Sequence, residues 1–211
     1  MEVPARKFVL FDFDGVIANS MALSFDVSQQ FHPELDHDSY RELFEGNVYR
    51  SLEEMRGTPD TGHRDRYFAE YVPRLHSEVE IIPGIDAVIN SLSAEYTLSV
   101  VSSTPSSAIR TFLSAHELLE KFPDILGVDV HTSKVEKMRM LFEKYATDAA
   151  HCVFITDTLG DMREAQEHRM GTIGVSWGLH TRATLQEGMP FRIVRQPAEI
   201  PDAVEDYFAR G

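Results

Sequence analysis

Asp12 and Asp14 stand two residues apart at the end of a short apolar run and are followed by Gly15. Residues i and i+2 of an extended segment share a face, so both carboxylates can reach one site. Gly15 permits a turn that bulkier residues resist. One carboxylate of such a pair can attack phosphorus, since aspartate forms a covalent aspartyl-phosphate. The other can pass a proton to a leaving oxygen and later take one from water. The same residues also suit a solvated turn. Asp157 and Asp161 form a second pair, four residues apart around a helix start, with Thr158 as its N-cap. The helix dipole stabilises negative charge there, yet two acids beside another acid pair ask for a cation between them. Mg2+ suits such a place, because it takes few carboxylates, keeps waters and binds a phosphate oxygen. Lys134 follows the capping residues Thr132 and Ser133, and Lys137 competes with it one turn later, in a chain with only five lysines. Ser102 closes another apolar run, where its hydroxyl can meet a phosphoryl oxygen or cap the next helix.

These residues need elements to hold them. The apolar run 7–11 ends at Asp12, 96–101 ends at Ser102, and 151–156 ends at Asp157. Further runs at 172–175 and 191–194 complete five predicted strands. Helical patterns lie between them at 106–115, 133–145, 159–168 and 198–208. Strands alternating with helices predict an α/β fold, a doubly wound, mostly parallel sheet covered on both faces. Ligands of such sheets sit beyond the carboxyl ends of the strands, where Asp12, Ser102 and Asp157 stand. Segment 18–82 breaks the rhythm with helical patterns near 20–31, 38–45, 48–56 and 64–79 and no strand. It reads as a helical insert between two parts of one core, 1–17 and 83–211, with turns at Gly57-Thr58-Pro59 and Thr61-Gly62 and a return at Pro83-Gly84.

Composition narrows the function. The 211 residues are 43% hydrophobic and 26% charged, an ordinary globular balance. Twenty Lys and Arg against 34 Asp and Glu leave a net charge of −14, which argues against binding nucleic acid or an anionic membrane. The single cysteine, Cys152, cannot form an intrachain disulfide and fits a reducing compartment. Aspartates interrupt the first apolar run, which excludes it as a signal peptide, and no stretch is long enough for a membrane-spanning helix. A cytoplasmic protein is expected, as a monomer or homodimer.

Together the motifs resemble those of the haloacid dehalogenase superfamily of phosphotransferases. Phe8-Val-Leu-Phe-Asp12-Phe-Asp14-Gly-Val-Ile17 is similar to its first motif, Val100-Val101-Ser102 to its second, Lys134 to its third, and Ile155-Thr-Asp157-Thr-Leu-Gly-Asp161 to its fourth. They occur in the family's order over residues 8–178. The resemblance implies a Rossmann-like core and a Mg2+-dependent phosphatase acting on a small phosphate monoester. Asp12 would be the nucleophile and Asp14 the general acid and base. Ser102 and Lys134 would bind the phosphoryl group. Mg2+ would be held by Asp12, the Asp14 carbonyl and Asp157, with Asp161 in support. Thr156, Asn19 and Ser103 depart from residues common in the family. Asp14, absent from true dehalogenases, argues for a phosphate ester, and the lack of lysine in 18–82 argues against the phosphonate-cleaving branch. The insert resembles the helical cap of phosphoglycolate phosphatase and beta-phosphoglucomutase relatives. Gly46-Asn47 resembles its substrate-reading loop, Arg50 and Arg56 could pair with a substrate anion, and Ser103 would face the substrate. A phosphomutase shares every core residue and is the alternative, followed by a non-catalytic phosphate-binding module.

Overall fold

The computed structural model describes residues 6–58 and 62–210; Pro59 and Thr61 of the predicted turns lie outside them. Six parallel strands form one sheet: β1 (Phe8–Phe11), β2 (Thr97–Val101), β3 (Asp124–Leu126), β4 (Cys152–Thr156), β5 (Gly171–Val175) and β6 (Arg192–Val194), in the order β3-β2-β1-β4-β5-β6. Every residue of β1, β2 and β4 is buried. This is why β1 and β4 read as near-continuous apolar runs rather than alternating ones. Side-chain alternation still sorts them between two layers. Val9, Phe11, Leu98, Val100, Val153 and Ile155 face one cluster. There they meet α5 (Ile85–Leu92), α6 (Ser106–Ala115) and α10 (Ile200–Ala209). Phe8, Leu10, Cys152 and Phe154 face the other, against α7 (Lys134–Tyr145) and α8 (Leu159–Glu167).

The strand order changes direction at β1 and β4, which pair in register from Phe8↔Cys152 to Phe11↔Ile155. Chain crossovers run away from this point on both sides, so the carboxyl ends of β1 and β4 frame a crevice. Asp12 and Asp157 are the first residues beyond those two strands.

Between β1 and β2 the chain forms four helices, α1 (Met21–Phe31), α2 (His37–Glu42), α3 (Val48–Arg56) and α4 (His63–Glu78), before α5. Their entry and exit are tied together: Ala18 bridges Ile81, the Asn19 N–H donates to the Glu80 carbonyl at 3.0 Å and the Ile82 N–H to the Ile17 carbonyl at 2.8 Å. Local sequence explains the helix starts. Asp36 and Ser39 make a reciprocal capping box at α2, and Asn47 caps α3 through the Arg50 N–H. Leu35, Tyr40 and Leu43 form a small core of their own inside this segment.

The sheet has one strand more than predicted. β3 was not expected because only Ile125 and Leu126 are apolar in its three residues, between Pro123 and Gly127. Helices α5 and α9 (Arg182–Glu187) were also not expected, being only eight and six residues long. Among the described residues, no helix is long and apolar enough to cross a membrane.

Candidate active site

A cleft of about 50 Å3 opens where β1 and β4 end, lined by Asp12, Asp14, Ser103, Lys134, Asp157, Asp161, Gly46 and Asn47 among others. Eight of the ten predicted site residues therefore meet here, from five separate stretches of chain. Two do not. Arg50 is exposed and lines a neighbouring groove with Glu53, Arg163 and Glu167, because the first turn of α3 carries it away from the strand ends. Ser102 is fully buried beneath the cleft. Its hydroxyl accepts the Thr104 N–H at 3.0 Å, which shapes the turn after β2.

Lys134 is the electrostatic centre. Its Nζ lies 3.0 Å from Asp12 Oδ1 and 2.6 Å from Asp161 Oδ2, and all three side chains are buried. Ser133 caps α7, which fixes where the helix starts and hence where Lys134 points. Burial alone would lower the lysine's pKa, but the two carboxylates override it and hold the ammonium charged. Burial would likewise raise Asp161, yet Lys134 and the Thr156 hydroxyl, which donates to Asp161 Oδ2 at 2.6 Å, hold it below the usual carboxylate range. Asp12, farther from the lysine, is pushed well up by burial and by the charges of Asp161 and Asp157. Lys137 takes a different place. It is completely buried and donates from Nζ to the Ser102 carbonyl at 2.6 Å. Burial and the neighbouring Lys134 bring its pKa down to about 7.

Asp157 has its two carboxylate oxygens in unlike surroundings. Oδ2 accepts the Leu179 N–H at 2.7 Å, whereas Oδ1 is buried with no partner. Burial pushes its pKa up to about 7. Gly15, at φ +70°, and Gly178 pack so close that a Cβ on either would collide with this carboxylate. An orphaned carboxylate oxygen beside a second acid is the donor chemistry that Mg2+ requires, and the ion completes its shell with water. No three acid or histidine side chains gather round one point among the described residues. The reason is visible in the contacts: Asp161 is turned to Lys134 and Thr156, and Asp14 to three hydroxyls. Asp12, Asp157 and a backbone carbonyl remain a fitting donor set.

Those hydroxyls were not foreseen from the sequence. Ser20 donates to Asp14 Oδ1 at 2.7 Å, Tyr71 from α4 donates to the same oxygen, and Thr104 donates to Oδ2 at 2.6 Å. Burial and the nearby Asp14 push the Tyr71 phenol well up, so it remains a donor. The Tyr71 ring packs in the core, and its hydroxyl reaches the site. Other unforeseen contacts join the helical segment to the strand ends. Glu164 accepts from Asn47 Nδ2 at 3.2 Å and from the Lys134 N–H at 3.0 Å. Tyr49 donates to the Ser103 carbonyl at 2.6 Å. Buried His180 accepts the Leu159 N–H at Nδ1 and meets the Arg41 carbonyl through Nε2 at 3.0 Å. Glu164 alone had a local signal, one turn beyond Asp161 on α8.

The model of the family "Haloacid dehalogenase-like hydrolase" matches residues 9–175, most of the chain and all of the strand ends just described. The chain belongs to this family. It is 31% identical over 127 residues to the protein named "Probable phosphatase IndB" from Dickeya dadantii, a match spanning 58% of this chain and 55% of that one. It is 21% identical over 207 residues to the phosphoglycolate phosphatase of Synechococcus elongatus, covering 93% and 96% of the two chains. The fold is similar to a predicted phosphatase from Clostridium acetobutylicum, with TM-score 0.81 at 21% identity over 95% of this chain and 99% of that one. The Asp12 and Lys134 pair lies at the sheet's turning point, inside the matched residues.

Proposed function

We propose that this hydrolase is a Mg2+-dependent phosphatase that cleaves a small phosphate monoester through an aspartyl-phosphate on Asp12. The observation that carries the reading is Lys134, held between Asp12 and Asp161, beside the unpartnered oxygen of Asp157. An anionic nucleophile reaches an anionic phosphate only where fixed positive charge offsets the repulsion. Asp12, Asp157 and the Asp14 carbonyl would hold Mg2+, which supplies further charge neutralisation when bound.

The steps belong to the chain's own groups. An Asp12 oxygen attacks phosphorus in line with the ester oxygen, which leaves with a proton from Asp14. Water then attacks the acyl phosphate while Asp14 takes back a proton, releasing phosphate and restoring the Asp12 carboxylate. Lys134 orients Asp12 and faces the transferred phosphoryl oxygens. The hydroxyls of Ser20, Thr104 and Tyr71 fix the Asp14 carboxyl group. Residues 18–82, anchored to the strand ends through Asn47, Tyr49, Tyr71 and Arg41, act as a cap over the core formed by 1–17 and 83–211. They exclude water during transfer.

The test is phosphate release from 4-nitrophenyl phosphate with and without Mg2+, beside Asp12→Asn, together with acid-quench trapping of phospho-enzyme. Release should need Mg2+ and fall by roughly 10^4-fold or more in the variant. Normal turnover by Asp12→Asn would overturn the mechanism.

A further inference from the structure

Beside the charged cleft lies a second space, a partly open chamber of about 120 Å3 lined mainly by the helical segment. The two adjoin, with Asp14, Met21, Phe44, Val48 and Ser103 lining both. The chamber follows α1 from Met21 at its first residue to Phe31 at its last, roughly 15 Å at 1.5 Å per residue. A group bonded to a phosphoryl oxygen at Asp14 therefore has this space ahead of it.

Most of the wall surface is carbon, although the buried Nε of Arg56 has no hydrogen-bond partner. Leu43, Leu52, Tyr67 and Phe68 surround the middle of the chamber. The hydroxyls in its middle are committed to one another: Ser24 bonds Tyr40 at 2.7 Å and Tyr67 at 2.8 Å. Burial pushes the phenol of Tyr67 well up. The two arginines of the wall, Arg56 and Arg64, are shared with the adjoining groove of about 550 Å3, where Glu53, Glu136, Glu164 and Glu167 stand with them. A compact polar alcohol would occupy the cleft and leave the chamber unfilled. An apolar body gains from the same walls in proportion to the area it buries. An apolar cavity of roughly 150 Å3 is known to hold a benzene ring, so the volume matches an aryl or short alkyl group.

We propose that the leaving group of the substrate is an alcohol with an apolar or aromatic body, seated in this chamber with its ester oxygen at Asp14. This deepens the phosphatase reading and rests on it. The substrate class is thus a monophosphate of a hydrophobic alcohol rather than of a short hydroxy acid such as glycolate.

Two series on the full-length protein test this. The first is kcat/KM for methyl through hexyl phosphate, phenyl phosphate and phosphoglycolate. The second is calorimetric binding of the matching alkylphosphonates and phenylphosphonate, which cannot be hydrolysed. Both should rise about three- to fourfold per added methylene until the chamber is full, with phosphoglycolate well below phenyl phosphate. Leu52→Asn should lower the hexyl-to-methyl ratio at least tenfold, and Leu52→Met should restore it. A flat series, or phosphoglycolate as the better substrate, overturns the proposal. Rising phosphonate affinity without Asp12-dependent phosphate release upholds the chamber and overturns the phosphatase reading. Asp12-dependent release with flat phosphonate affinity does the reverse.

Discussion

The strand-end cleft and the helical chamber touch along five residues yet are held together by opposite means. In the cleft, Asp12, Asp161 and Lys134 neutralise one another, and Asp14 is fixed by three hydroxyls. In the chamber, Leu43, Leu52, Tyr67 and Phe68 are held by shape, with hydroxyls tied off among themselves. The first arrangement tolerates no substitution, because removing one member strands a buried charge. The second tolerates any change that keeps volume and polarity. Chemistry and selectivity are thus separable in this molecule, the one set by a few fixed atoms and the other by a distributed surface.

Three changes press on that contrast. Lys134→Met should have the largest effect. It leaves Asp12 and Asp161 buried without a counter-charge, which costs about 3–5 kcal/mol. The metal-free protein should then melt roughly 10 °C lower, with activity lost as well. An unchanged melting temperature would show that the carboxylates do not depend on Lys134.

Tyr71→Phe strikes the join between the regions, since Tyr71 lines the chamber and donates to Asp14. Its loss should lower kcat about tenfold and shift the pH profile of kcat, leaving KM nearly unchanged. An identical kcat and pH profile would mean that the helical segment does not help to position Asp14.

The smallest effect is expected at Lys137, which is buried and bonds the Ser102 carbonyl rather than an acid. Its folded pKa of about 7 lies below the 10.5 of a free lysine. The unfolded chain therefore binds more protons between those values, and stability should rise with pH across that window. Lys137→Met should raise Tm by about 4 °C at pH 7, despite losing the bond to the Ser102 carbonyl. The gain should shrink towards pH 10. A variant that is equally destabilised at both pH values would assign Lys137 a purely structural role.

Legibility from sequence followed the same division. The acids and Lys134 announced themselves because each lies at a strand end or a helix start, and three of the five predicted strands end at Asp12, Ser102 and Asp157. The strand β3 and the helices α5 and α9 carry too few residues to establish a period. Two of the three partners of Asp14 left no local trace, since Tyr71 and Thr104 lie 57 and 90 residues away from it in the chain. Arg50 looked suited to reading an anion, but one turn of helix directs it into a different groove. The chamber was invisible for a further reason. Tyr67 and Phe68 have the spacing of ordinary core residues, and only the gap between helices distinguishes a wall from a packed interior.

The paired backbone at Ile17–Ala18 and Ile81–Ile82 has a consequence for how such a molecule can change. The chain departs at residue 18 and comes back at residue 81 on adjacent hydrogen-bonded segments, so the sheet experiences the whole excursion as one short loop. The entropy of closing a loop grows only with the logarithm of its length. Excursions of quite different size and lining can therefore be exchanged at this doorway, and a transplanted one would inherit the hydrolytic machinery while bringing its own choice of substrate.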